Sequence, residues 1–167
     1  MELRTACSPE DMKHYTTERL RKEFLIQNLF VPGEIKLVYS HIDRIITGAC
    51  MPQSPVRLTA GDELRAEYFL QRREMGVINI GAKGSIIVDG REYPVDHKDG
   101  MYIGMGAKDI VFKSEDAQNP AKFYINSVPA HTSYPTVLIK LDGEPEDGVV
   151  IIKKENKVEL GTLEESN

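Results

Sequence analysis

Glu74 stands in the run EYFLQRREMGVINIG (67–81), with arginines at 72 and 73 and Gly81 seven positions on. A strand carboxylate can take a proton from a carbon beside a carbonyl, and a guanidinium can hold an acid group through a two-pronged hydrogen bond. In an extended chain Arg72 shares the face of Glu74 and Arg73 points away, so Arg72 is the arginine that accompanies the carboxylate. The same spacing also suits an internal Arg72–Glu74 ion pair, and that is the reading the pair alone favours. His41, Asp43 and Arg44 cluster in an otherwise apolar strand context, which fits a polar pocket, a subunit contact or a buried salt bridge. His131, in PAHTSYP between Pro129 and Pro135, sits on a rigid irregular loop of the kind that often carries function, or is a plain surface histidine. His41, Arg44, Arg72, Glu74 and His131 are therefore the candidates for a role near substrate or an interface, and none is assigned a catalytic step.

Metal chemistry finds little support in spacing. The four histidines, His14, His41, His97 and His131, include no local ligand pair, and Cys7 and Cys50 make neither a CxxC knuckle nor a disulfide framework. No metal site is expected in this chain. GMGAKD (104–109) begins like a glycine-rich phosphate loop but ends in Asp109 with no helix pattern after it, so it reads as a turn between strands.

The elements that must carry these groups are mostly strands. Ser8-Pro9-Glu10-Asp11 has the order of a helix start with a capping hydroxyl, and Thr17-Glu18 opens a second helical stretch reaching Leu25. Past Phe30 the period shortens. KLVYSHIDRIITGACM (36–51) reads as two strands joined near 41–43, or as one bent strand. GSIIVDGREYPV is the strongest hairpin signal, because Asp89-Gly90 can fill the two positive-φ positions of a type I′ turn. MYIG, DIVF, KFYINSV, TVLIKL and VVIIKK add further strands, with DGEPEDG as a polar loop and KKENK as a solvated turn. Many short strands with regular turns predict an all-β antiparallel sandwich or barrel behind a short helical N-terminal arm.

The chain has 167 residues with 41% hydrophobic and 28% charged, which suits one domain with a sizeable core. A net charge of -5 and a pI near 5.4 argue against a nucleic-acid groove. The opening lacks the apolar run of a signal peptide and no later run approaches membrane length, so a cytoplasmic protein is expected.

The spacing around Glu74 resembles that of the cupins, small jelly-roll barrels with the pattern H-x-H-x-x-x-E-x6-G and a later P-x-G-x-x-H. On this chain Glu74 and Gly81 fit, Tyr68 and Leu70 fall where the first histidines belong, and Asp109 follows Gly104-Met105-Gly106 at the third. Leu70 has no donor atom for a metal. The resemblance implies a cupin-like, double-stranded barrel whose metal ligands have degenerated.

Longer strings narrow the family. VYSHIDRII (38–46), YFLQRREMGVINIGAKGSIIVDG (68–90), YIGMGAKDIVF (102–112) and AKFYINSVPAHTSYPT (121–136) resemble, in order, the N-terminal part of the 5-keto-4-deoxyuronate isomerases, also called 4-deoxy-L-threo-5-hexosulose-uronate ketol-isomerases. The resemblance runs from about Leu20 to the end, where LGTLEESN is similar to the linker into the family's second half. It implies a two-barrel enzyme of bacterial pectin breakdown, assembled into oligomers, that converts its uronate to 3-deoxy-D-glycero-2,5-hexodiulosonate. The family's zinc sits on histidines and a glutamate of the C-terminal barrel, a motif this chain does not contain. The expected division is an arm over 1–30 and a ligand-degenerate barrel over 31–167. The isolated chain is expected to be inactive or nearly so, and the alternative is a non-catalytic module for sugar-acid binding or homo-oligomer assembly.

Overall fold

A computed structural model describes residues 1–141, 149–152 and 158–160. The DGEPEDG loop, the KKENK turn and most of the expected linker, residues 161–167, lie outside the described residues. The strands are β1 (Glu2–Arg4), β2 (Ile35–Ser40), β3 (Ile46–Cys50), β4 (Val56–Arg57), β5 (Arg73–Asn79), β6 (Gly84–Val88), β7 (Arg91–Val95), β8 (Gly100–Ile103), β9 (Ile110–Ser114), β10 (Phe123–Pro129), β11 (Val137–Leu141), β12 (Val149–Ile152) and β13 (Val158–Leu160). They form a large sheet in the order β1-β2-β3-β10-β5-β8-β11-β12-β13 and a small one in the order β4-β9-β6-β7. From β5 onward the chain shuttles between them, through β6 and β7, back to β8, across to β9 and back to β10. The expected all-β jelly-roll arrangement is present.

Why the sheets close on each other follows from the period of two. Along β5 the residues Arg73, Met75, Val77 and Asn79 are buried while Gly76 and Ile78 are exposed. Met101, Ile103, Phe123 and Ile125 from the large sheet meet Ile86, Val88, Ile110 and Phe112 from the small one. The Phe112 and Phe123 rings lie 5.3 Å apart and tilted by 43°, and burying each such side chain contributes about 1.5–3 kcal/mol.

Polar stitching holds the crossings. Asn79, fully buried, donates to the carbonyls of Ala82 and Val95, each at 2.7 Å, and accepts from the amides of Gly81 at 3.0 Å and Lys122 at 3.1 Å. All four of its hydrogen-bonding positions are filled, which a buried amide requires. Gly81, the glycine of the cupin-like spacing, is where backbone meets backbone: an added Cβ would lie 2.3 Å from the Lys122 nitrogen. Asp89 (φ 48°) and Gly90 (φ 86°) make the left-handed pair expected between β6 and β7.

Three local expectations change. The β1–β2 and β11–β12 pairings are parallel, the first joining strands distant in sequence and the second joining consecutive strands. Residues 2–4, inside the arm expected to be helical, form a strand. Helix α1 (Pro9–Met12) is a single turn whose Ser8 hydroxyl makes no cap bond, whereas α2 (Thr17–Phe24) is capped by the Thr16 hydroxyl, which accepts from the Arg19 amide at 3.3 Å.

Candidate functional site

The start of β5 and the turn between β2 and β3 meet at one end of the barrel. Arg73 is the first residue of β5, and the pleat turns its side chain inward, where it is only 7% exposed. Its Nε donates to the Ser127 hydroxyl at 3.1 Å, and its Nη2 donates to the Ser127 carbonyl at 2.7 Å and the Arg44 carbonyl at 2.6 Å. The Tyr39 ring lies 5.8 Å from the guanidinium carbon. Burial, with the nearby Arg44 charge, lowers the Arg73 pKa from its ordinary value and Tyr39 works against that, but an arginine stays charged across the working pH range. Among the described residues no carboxylate lies within 4 Å of this cation, of Arg44 or of Arg72 in an ion pair.

Arg44 and Arg72 border the same space, a cavity of about 290 Å³ that Tyr39, Glu63 and Phe69 also line. The Arg72 Nη2 donates to the carbonyls of Leu64 at 3.3 Å and Arg65 at 3.1 Å. Glu63 faces the cavity with its carboxylate 3.0 Å from the Met1 ammonium. A hydrogen bond from its own backbone and that ammonium hold its carboxyl below the usual range. Arg44 follows Asp43, and both take positive φ, 52° and 55°. Such consecutive left-handed residues without glycine are uncommon and are kept only where surrounding contacts impose them; the Arg73 bond to the Arg44 carbonyl is one such contact.

The structure thus brings Arg44 and Arg72 together and adds Arg73, which period-two reasoning had turned away. The expected Arg72–Glu74 ion pair is not formed. β5 begins at Arg73, so Arg72 lies before the pleat and folds back onto the 64–65 carbonyls, while Glu74 lies on the outer face of the large sheet. There Glu74 accepts from the Tyr102 hydroxyl at 2.7 Å. Burial first, then the hydrogen bond and charge of Glu74, push the Tyr102 phenol up to about 12. His41 is exposed on the turn after β2, with its ring edge-on to Tyr39 at 5.3 Å, and His131 is exposed on the loop between β10 and β11. Neither lines the cavity. The buried cation Arg73 was missed because charge normally marks a solvent face; the available signal was the alternation of Met75 and Val77, which fixes residue 73 on the inner face.

The positions that would carry a cupin metal do not fit one. Leu70 is fully buried in the apolar core, Asp109 is ion-paired with Arg57 at the surface and Glu74 points out of the barrel. Hydrocarbon, thioether and aromatic groups with the single thiol of Cys50 fill the interior between the sheets, and zinc takes several thiolate, imidazole or carboxylate donors together. Among the described residues no group of three or more His, Cys, Asp or Glu side chains is placed to hold a metal ion. Also among them, no helix is long and apolar enough to cross a membrane.

A family model described as the KduI/IolB family matches residues 24–147. The 4-deoxy-L-threo-5-hexosulose-uronate ketol-isomerase of Lachnoclostridium phytofermentans is 70% identical over 168 residues, covering 100% of this chain and 57% of its own length. The enzyme of the same name from Lachnospira eligens is 56% identical over 168 residues, covering 100% of this chain and 58% of its own. The chain therefore spans little more than half the length of these curated relatives. Among solved structures, a cupin protein from Bacteroides fragilis is 14% identical with a TM-score of 0.39, over 55% of this chain and 69% of that one, a likeness too slight to argue from.

Proposed function

The chain belongs to the KduI/IolB family, and from that premise we propose that it is the non-catalytic barrel of a 4-deoxy-L-threo-5-hexosulose-uronate ketol-isomerase. In this reading residues 1–30 are an arm, residues 31–167 form the barrel, and the chemistry belongs to a zinc-binding partner barrel of the kind the family's second half supplies. The product is 3-deoxy-D-glycero-2,5-hexodiulosonate, and the setting is uronate catabolism in a cytoplasm whose reducing conditions suit the free Cys7 and Cys50.

One observation carries the proposal: the barrel interior is a packed apolar core. Shifting a carbonyl along a sugar needs a base at the neighbouring carbon and an electrophile for the enediolate oxygen. Met75, Met101, Ile103, Phe112 and Phe123 offer neither. Glu74 is a carboxylate of the right type on the wrong side of the sheet. The test is a ketol-isomerase assay of the 167-residue chain with zinc measured in the same sample, beside a relative that contains both barrels. We expect turnover and zinc in the two-barrel protein and neither in the chain alone. Turnover with stoichiometric zinc from the chain alone would sink the proposal and make His41 and His131 the first residues to mutate.

A second role, homo-oligomer assembly, draws support from the outer face of the large sheet. Ile78 and Ile80 are each 49% exposed there. Apolar side chains grouped on one sheet face are a common mark of a protein contact. Sedimentation of the chain at micromolar concentration reads the assembly directly.

A further inference from the structure

We propose that the cavity between the Asp43–Arg44 turn and the start of β5 is a binding site for the carboxylate of a small hydroxylated acid, a hexuronate by size and chemistry. The choice of a sugar acid rests on the reading above; the choice of a carboxylate rests on the cavity itself.

Arg73 is the centre of the argument. It is a buried cation whose hydrogen bonds all go to neutral oxygens, two on Ser127 and one on Arg44. A charge held this way keeps most of its desolvation cost, which a bound anion would offset. Its Nη1 makes no hydrogen bond among the described residues. No buried side-chain nitrogen or oxygen among the described residues lacks a partner, so this Nη1 is open to the cavity.

Two more guanidiniums converge on the same space. Arg72 spends Nη2 on two backbone carbonyls, which fixes the plane of its fork and leaves its other donors for a ligand. Among the described residues the Arg44 side chain makes no hydrogen bond or ion pair, and its backbone, in a left-handed conformation, is held by the Arg73 bond to its carbonyl. Bound groups of two oxygens suit such forks.

The rest of the lining selects among anions. Glu63 sets a carboxylate in the same wall, which repels a dianion such as phosphate and can accept a hydroxyl proton from a sugar. The Tyr39 hydroxyl has no hydrogen-bond partner among the described residues and can exchange a hydrogen bond with a second hydroxyl. Phe69 and Pro129 give an apolar wall for the C–H face of a ring. A monoanion that also carries hydroxyls satisfies every one of these groups.

The experiment is titration of the 167-residue chain with D-galacturonate, followed by calorimetry and by NMR of the arginine Nε–H resonances. Parallel arms use D-galactose, the methyl ester of galacturonate and inorganic phosphate. We expect saturable galacturonate binding that shifts the Arg44, Arg72 and Arg73 resonances, with no binding of either neutral sugar. Arg44→Ala and Arg72→Ala should each weaken it about tenfold, the scale of losing a charge-assisted hydrogen bond. Both residues lie at the cavity mouth, so these variants carry the test even where Arg73→Leu fails to fold. The proposal is overturned by absent galacturonate binding, by equal binding of galactose or the ester, by phosphate binding more tightly, or by unchanged affinity in both variants. No arm reads turnover, so failure here leaves the isomerase reading intact and a failed isomerase assay leaves this site intact.

Discussion

Cys50 and Tyr102 show how position decides the chemistry of a side chain. Burial pushes the Cys50 thiol up to about 12, and a thiol that stays protonated is a poor nucleophile. At pH 8 a thiol reagent is expected to label Cys7 and spare Cys50, giving one reactive thiol per native chain and two in guanidinium chloride. Tyr102 supplies a pH test. Its folded pKa of about 12 lies above the ordinary value of 10.0. A raised pKa means stability that is fully present below pH 10 and lost as pH rises from 10 toward 12. In Glu74→Gln the burial contribution stays while the carboxylate's charge is gone, so the phenolate absorbance at 295 nm should appear at lower pH than in the wild type. An unchanged titration would mean the contact does not form in solution. The sequence made Glu74 visible but not its face. The even positions of β5 and its exit include Ile78 and Ile80, apolar like the inward Met75 and Val77, and this blurs the alternation that should have placed the carboxylate outside.

Turns and crossings were the most legible elements. Asp89-Gly90 announced a hairpin because few residues accept two positive φ angles in succession; β3, β6, β7 and β11 fall within the runs rich in β-branched and aromatic residues, and β2, β8, β9 and β10 overlap them. β1 was not legible, since three residues beside a distant strand leave no local periodicity, and the parallel sense of β1–β2 and β11–β12 was not legible because apolar patterning carries no strand direction. The two kinds of glycine in these elements make a paired prediction. Gly90 has φ 86° with nothing within 4 Å of an added Cβ, so Gly90→Ala meets backbone strain alone and should cost about 1–2 kcal/mol. Gly81 has ordinary φ, but a Cβ there would collide with the backbone of Ala121 and Lys122. Gly81→Ala must push β5's exit away from β10's entry and should be the more damaging of the two in urea melts. The reverse order would show that the crossing yields more readily than the turn.

For the whole molecule, the outer sheet face and the cavity make separable claims. Ile78→Glu places a charge within the exposed apolar pair Ile78 and Ile80, on a face remote from the core. It should reduce the sedimenting mass to that of one chain while leaving the melting temperature within a few degrees, and an unchanged mass would remove this face from assembly. Composition and the strand pattern predicted one all-β domain, but which end of it gathers positive charge depended on three residues from two segments, Arg44, Arg72 and Arg73, meeting in space. The sheet order also has a consequence for synthesis on the ribosome. β10 lies between β3 and β5, and the Thr47 hydroxyl reaches Asn126 across 79 residues of sequence. A nascent chain that has emerged only to residue 120 therefore holds β3 and β5 with a strand-wide gap between them, two unpaired edges at the centre of the future sheet. Such edges invite pairing with other chains. Slowing translation just before Phe123 should raise aggregation, and slowing it just after Pro129 should not.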